Sequence, residues 1–515
     1  MPGTGLSEAG LVKKVDAILQ QLQKDHTGDG GATTDASALA ARRKLGRIAE
    51  SIRAPERSRK GQTSESILPM LTALTRLCDQ KFVTFSYTEI PVIWRAIYVD
   101  AQLLKACYAL QDSLKSTTEQ AACVRTCIRD LDLALIVAGA ASISKDRHCH
   151  DLISALQCKL LQLERIDSLQ PVQCSVDRSP PQKRPKRAHS KPSRPVFGTS
   201  AQADSDILEY TFDRAPSFVD LSDSNSAFRS TPFIVRGYAQ HAGWAAVRSS
   251  NDDSNYASWS SFDHLLSVAG PARVVPVEVG ADYSREDWGQ DVMLWSDFLR
   301  QCRWDQSDMP SESSAERGHG SSASRHPILY MAQHDLASQF PALEQDYALP
   351  DYVYTSPPPP QDWPDYKPPA TSDGVLTNLW IGPAGTISPP HYDPYYNCFV
   401  QAVGYKEVWV APPHCCPRSV TSLGDGTEVE DDTDAGSFPQ LSPTARPDAR
   451  TTITETLMAN TASLDVFDPI ELIPDHVRAG AAKAILAPGD LLYMPPGWWH
   501  SLRSLTRSFS VSMWF

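Results

Sequence analysis

His391 and Asp393 are separated by one residue in the stretch ISPPHYDPYYNCFVQ, and His500 follows 109 positions after His391, in PGDLLYMPPGWWHSLRSLTRSFSVSMWF. Two imidazoles and one carboxylate are a donor set that holds a non-haem Fe(II) by one face and leaves its other positions open. A bidentate cosubstrate and dioxygen can fill those positions, so the pattern points to oxidative chemistry. The spacing has a geometric reason. In an extended strand, residues i and i+2 share a face. His391 and Asp393 can therefore aim at one ion while Tyr392 points away. The third ligand must come from another strand, and His500, preceded by Pro488, Gly489, Asp490 and a β-rich run, suits that need. The bare H-x-D tripeptide is common, and two satisfied strand-edge histidines would look the same in isolation.

The surroundings carry more. The segment LTNLWIGPAGTISPPHYDPYYNCFVQAVGYKEVWVAPP, residues 376 to 413, resembles the core of the Jumonji-C family of Fe(II)- and 2-oxoglutarate-dependent oxygenases. The resemblance rests on Trp380, the turn Gly382-Pro383-Ala384-Gly385, Ser388, the H-x-D pair, Asn397 and Gly404-Tyr405-Lys406. The terminal P-G-D and W-W-H segment is similar to the end of the same domain. Within the family, the likeness is nearest to the small members described as lysine demethylase 8 or as arginyl hydroxylases. It rests on RVVPVEVGADYSREDW (273–288), LYMAQHDLASQFPALEQDYALPDY (329–352), FSVSMWF (509–515) and the helical WRAIYVDAQLLKACYAL (94–110).

That resemblance implies an Fe(II) centre at His391, Asp393 and His500, with 2-oxoglutarate and O2 as cosubstrates. Lys406, fifteen residues after His391, matches the lysine that holds the far carboxylate of 2-oxoglutarate. An ammonium is a strong partner for a carboxylate in a partly dry site. Tyr330 matches a hydroxyl donor to the same group, Ser388 and Asn397 match polar lining residues, and Trp380 and Trp514 match aromatic walls. Glu278 and Tyr283 match residues shaping a substrate pocket in the arginyl-hydroxylase-like members. A carboxylate grips a guanidinium by paired hydrogen bonds, which favours arginine hydroxylation in a protein or peptide. Demethylation of a histone methyl-lysine at the same site is the alternative, and a metal-free cupin acting as a binding scaffold is a third reading.

Those ligands need rigid strands to carry them. From about residue 206 short alternating runs such as PFIVRGYA, RVVPVEVG and KEVWVAPP are separated by turns. This predicts a double-stranded β-helix, a jelly-roll barrel of cupin type, over 206–515. Polar, Ser-rich, Pro-rich or acidic insertions near 303–325, 355–374 and 417–450 are expected to be disordered. The first 170 residues read differently. Leu11, Val15, Ile18 and Leu22 recur on one helical face, and apolar periodicity returns over 67–77, 91–114, 121–141 and 150–166. An all-α unit over 1–170, folding apart from the barrel, gives an α+β chain. A Pro/Ser-rich basic linker over 171–205 joins the two; Lys183, Arg184, Lys186, Arg187 and Lys191 form a cluster of nuclear-import type.

Composition narrows the class. The 515 residues carry a formal charge of −13, which disfavours general nucleic-acid binding and suits a basic protein partner, such as a histone. Eleven scattered cysteines read as reduced thiols of nucleus or cytoplasm. No run of 18 apolar residues is present, and the opening MPGTGLSEAGLVKKVD lacks a signal pattern, so no membrane association is expected. Sequence leaves the protein substrate and the oligomeric state open.

Overall fold

The structure, a computed structural model, describes residues 8–27, 35–53, 67–85, 90–111, 117–139, 145–168, 197–223, 225–248, 258–280, 288–306, 328–361, 363–364, 366–415, 460–462, 464–468 and 473–515. The chain is α+β. Its first part is helical: α1 (Glu8–Thr27), α2 (Ala36–Arg53), α3 (Ile67–Val83), α4 (Val92–Gln111), α5 (Thr117–Ala138) and α6 (Asp146–Ser168). Val15, Ile18 and Leu22 of α1 are buried, as their spacing predicts. Helix α4 is the centre, packed against all five others. It is apolar nearly all round, with Ile97, Val99, Ala101, Leu103 and Leu104 fully covered, as a helix enclosed on every side must be. No helix among the described residues is long and apolar enough to cross a membrane.

The second part is built on strands. In chain order they are β1 (Ser205–Asp206), β2 (Leu208–Thr211), β3 (Phe233–Arg236), β4 (Val274–Val279), β5 (Gly289–Leu294), β6 (Leu329–His334) and β7 (Leu376–Gly382). Then follow β8 (Ile387–Tyr392), β9 (Asn397–Val403), β10 (Lys406–Ala411), β11 (Ala482–Leu486), β12 (Leu491–Met494), β13 (Trp499–Ser504) and β14 (Ser508–Trp514). They form a five-stranded sheet, β1-β11-β10-β13-β8, facing a nine-stranded sheet, β2-β3-β12-β9-β14-β7-β6-β4-β5. Between the sheets lies an apolar floor of Phe399, Val408, Val410, Leu486, Leu492, Met494 and Leu502. Alternation assigns the faces: on β10, Lys406, Val408 and Val410 point inward, while Glu407 and Trp409 point out.

Three expectations need correction. The helical unit does not stand apart: Asp132 of α5 meets Arg273, just before β4, in a buried ion pair of 2.7 Å. The same carboxylate accepts from the Val274 backbone N–H (2.9 Å) and the Gln339 amide (2.9 Å). The Gln157 amide of α6 donates to the carbonyls of Ala269 and Pro271, both at 3.0 Å. Nothing in local sequence announces a pair 141 residues apart.

Secondly, residues 197–205, placed in the linker, lie on the barrel. Outward-facing Glu407 has no exposed surface; it accepts from the N–H groups of Ser200 (2.6 Å) and Ala201 (2.8 Å) and from Arg503 (2.6 Å). Thirdly, the segment 355–374, expected to be disordered, is described except at 362 and 365 and is tied to the barrel at several points. The Tyr396 hydroxyl donates to the Pro358 carbonyl (3.1 Å), and Tyr366 meets the Tyr396 ring edge-on at 5.0 Å. Pro358 is thus held by an aromatic residue 38 positions away in sequence. The basic cluster at 183–191 and most of the other two insertions fall outside the described residues.

Asp132→Ala leaves the Arg273 guanidinium buried without its partner. Denaturant unfolding should show a loss of about 3–5 kcal/mol. A loss below about 1 kcal/mol would place the pair among the weak surface bridges.

Candidate metal and cosubstrate site

β8 is the edge strand of its sheet, where the ISPPHY run can hold two prolines that lack ladder donors. His391 on β8 stands directly opposite His500 on β13. Their ring centroids are 4.2 Å apart. Asp393 follows the end of β8, and its carboxylate comes within 3.5 Å of His500 Nε2. One ligand atom from each of the three lies within 4.8 Å of the others, and all three residues are buried.

The imidazoles are turned for metal binding. His391 Nδ1 is 2.7 Å from the Pro389 carbonyl oxygen, and His500 Nδ1 is 3.0 Å from that of Trp498. A carbonyl only accepts, so each Nδ1 carries its hydrogen, which leaves Nε2 as the atom a metal would take. Burial, then the neighbouring His500, pushes His391 down to about 4, so it is neutral. Burial also raises the Asp393 carboxyl, but the hydrogen bond and charge of His500 outweigh that and hold it below its usual range. Asp393 Oδ1 is buried with no hydrogen-bond partner. Two imidazoles, a carboxylate and an orphaned carboxylate oxygen fit a divalent ion such as Fe(II).

Beside this triad the structure gathers Tyr330, Trp380, Ser388, Asn397 and Lys406 around one cavity. Lys406 is 2% exposed. Its ammonium donates to the Tyr330 hydroxyl at 3.2 Å and lies over the Phe399 ring. No ion pair to Lys406 occurs among the described residues, and burial pulls its pKa down to about 7. Asn397 Oδ1 accepts from Ser512 (3.1 Å), while the Trp380 indole N–H is buried without a partner. The cavity thus offers an unpaired cation at one end and metal ligands at the other.

Other expected residues sit elsewhere. Trp514 does not line the cavity; it lies opposite Asn397 and packs on Tyr395 at 5.4 Å. Glu278 is also outside the lining, but it is the direct cross-strand partner of Tyr330, so the two side chains share a face. It is half-buried, accepts from the Trp288 indole (3.3 Å), and burial raises it to about 7. Tyr283 lies outside the described residues. Phe399, Met494, Leu502 and Ser512 complete the wall and were missed in sequence. Period-two reading would have found three of them: Phe399 follows Asn397 by two, Leu502 follows His500, and Ser512 precedes Trp514.

Lys406 sets a pH dependence. A carboxylate ligand needs the ammonium, and above pH 7 the free site holds mostly amine. Apparent affinity for 2-oxoglutarate should fall by roughly tenfold per pH unit above about 7, with proton uptake on binding. Lys406→Ala should abolish this slope and weaken binding, measured by calorimetry in the presence of Mn(II). An unchanged affinity in the variant would show that another group holds the ligand.

Comparison with known proteins places this geometry. The profile described as the cupin-like domain matches residues 220–515. The Jumonji C domain-containing protein 5 of Drosophila melanogaster is 34% identical over 286 residues, 55% of this chain and 54% of that protein. The lysine-specific demethylase JMJ30 of Arabidopsis thaliana is 31% identical over 289 residues, 55% of this chain and 50% of its own length. The lysine-specific demethylase 8 of Danio rerio is 32% identical over 256 residues, 50% of this chain and 48% of its own length. The chain therefore spans about half the length of the curated relatives it matches. It belongs to the cupin-like domain family, among its Jumonji-C members.

Proposed function

We propose that the chain is an Fe(II)- and 2-oxoglutarate-dependent protein oxygenase that hydroxylates arginine side chains. The observation that carries the oxygenase reading is the pairing of the His391–Asp393–His500 triad with an ion-pair-free buried lysine in one cavity. When bound, Fe(II), 2-oxoglutarate and O2 supply oxidation of a substrate C–H bond, releasing succinate and carbon dioxide. The protein's part is placement and exclusion of water. His391, Asp393 and His500 would hold the metal. Lys406 and the Tyr330 hydroxyl would bind the far carboxylate of 2-oxoglutarate, and Ser388, Asn397 and the Trp380 indole N–H offer further polar contacts. Phe399, Met494 and Leu502 close the floor against water.

Arginine is favoured by Glu278, a half-buried carboxyl beside Tyr330 that accepts from the neutral Trp288 indole and has no cation paired with it among the described residues. A guanidinium would relieve that burial by paired, charge-assisted bonds. Demethylation of methyl-lysine is the second reading, favoured by relatives that carry the name lysine-specific demethylase. The net charge of −13 suits a histone or another basic protein as substrate. The basic run at 183–191 supports action in the nucleus, with a cytoplasmic pool.

Arginine and methyl-lysine peptides incubated with the enzyme, Fe(II) and 2-oxoglutarate separate the readings by fragment mass analysis. One added oxygen on arginine is expected; formaldehyde from methyl-lysine with unmodified arginine would install the demethylase instead. Glu278 must be ionised to hold the guanidinium, so its occupancy as an anion rises through pH 7. Arginine-peptide kcat/KM should climb by about tenfold from pH 6 to pH 8 under saturating cosubstrate. Glu278→Gln should remove that rise and lower activity by roughly ten- to a hundredfold, while peptide-independent turnover persists. Full activity in the variant would leave Glu278 without a substrate role.

A further inference from the structure

The metal-bearing strand has a weakness that the barrel does not cover. β8 is an edge strand, bonded to β13 on one side only, and Asp393 lies beyond its end. An unbraced edge frays, and a ligand set must be held to a fraction of an ångström. Two segments outside the barrel strands take up the loose side. The first is residues 460–462, where the third insertion re-enters the described structure. Tyr392 N–H donates to the Asn460 carbonyl (3.1 Å), and Ala462 N–H donates to the Pro390 carbonyl (2.8 Å). The Asn460 side-chain amide donates to the Tyr392 carbonyl (2.9 Å). Thr461 thereby stands in antiparallel register with His391 itself. Ala462, Leu464, Val466 and Phe467 are buried on the outer face of the same sheet, so this short strand is anchored.

The second is the Pro-rich segment carrying Trp363. Its indole meets the Tyr392 ring edge-on at 5.4 Å, and Trp499 meets the same ring at 5.0 Å. Trp363 also rests on Gly497: a Cβ there, at φ +78°, would come within 2.7 Å of the indole. Gly497 N–H in turn donates to the Asp393 carbonyl (2.9 Å). The residue between the two ligands is thus gripped by its backbone from one segment and by its ring from the other.

We infer that Asn460 and Trp363 are positioning residues for the metal centre, clamping His391–Tyr392–Asp393 through the backbone and the ring of Tyr392 and raising the affinity for the ion. This rests on the metal reading of the triad. Neither side chain touches the cavity, so the effect passes through Tyr392 and Gly497.

The test is Mn(II) binding to the full chain by electron paramagnetic resonance, with Co(II) visible absorption as a reporter of ligand geometry. Asn460→Ala and Trp363→Ala should each weaken Mn(II) binding by roughly ten- to a hundredfold and alter the Co(II) bands. Metal-free thermal unfolding should stay cooperative, and Trp363→Phe, which keeps a ring on Gly497 and Tyr392, should recover most of the affinity. If Trp363→Ala does not fold, Asn460→Ala decides the matter. Folded Asn460→Ala or Trp363→Ala protein that binds Mn(II) within about twofold of wild type, with unchanged Co(II) bands, would overturn the clamp while leaving the triad intact. A wild-type chain that binds neither ion would overturn the metal reading itself, and the clamp with it.

Discussion

The register of β13 between β8 and β10 is the constraint on which the site depends. It sets His500 opposite His391 on one side and opposite Val410 on the other, and it sets Ser504 opposite Lys406. Side chains alternate with period two, so a slip of one residue would turn His500 outward and bring Trp499 in. The same slip on β10 would exchange buried Lys406 for Glu407, replacing the cation with an anion. Correct register therefore places metal ligands and lysine in one cavity, and it drives Trp409, Trp499, Glu407 and Arg503 to the outer face. That face needs its own cover, which residues 197–204 and 460–468 provide.

Two kinds of buried charge coexist here, and their partners tell them apart. Asp132 is saturated by a guanidinium, an amide and a backbone N–H, and in a low dielectric such a closed network locks geometry. It joins the helical unit to the base of β4, the strand that also carries Glu278. Lys406, Asp393 Oδ1 and the Trp380 N–H are left short of partners within one cavity. Leaving buried polar groups short costs stability, and native folds keep such groups few. Their meeting with the triad in one cavity fits a site whose partners are ligands.

How much was legible depended on the range of the interaction. Helices α1 to α6 announced themselves through local periodicity, as with Val15, Ile18 and Leu22. The barrel announced itself through short alternating runs. Polar composition misled at 355–374, because Pro358, Trp363 and Tyr366 are held by Tyr392, Tyr396 and Gly497, none of which is local. Trp514 has the residue type of a cavity wall, yet the ring of Tyr395 claims it. Phe399, Leu502 and Ser512 were readable in principle from residues two positions away, whereas Met494 reaches the cavity only because β12 pairs with β9.

By itself, the sequence determined the donor types and their phase: H-x-D on one face of a strand, a later histidine in a β-rich run, and a helical unit ahead of a β-rich one. Those follow from side-chain chemistry and from periods of 2 and 3.6, which are properties of neighbouring residues. Tertiary structure alone decided that His500 meets His391, that no carboxylate among the described residues pairs with Lys406, and that Asp132 ties the helices to Arg273. It also decided that Asn460 and Trp363 close on Tyr392. Each of these joins residues separated by tens to hundreds of positions, where pairing is settled by sheet register and by burial.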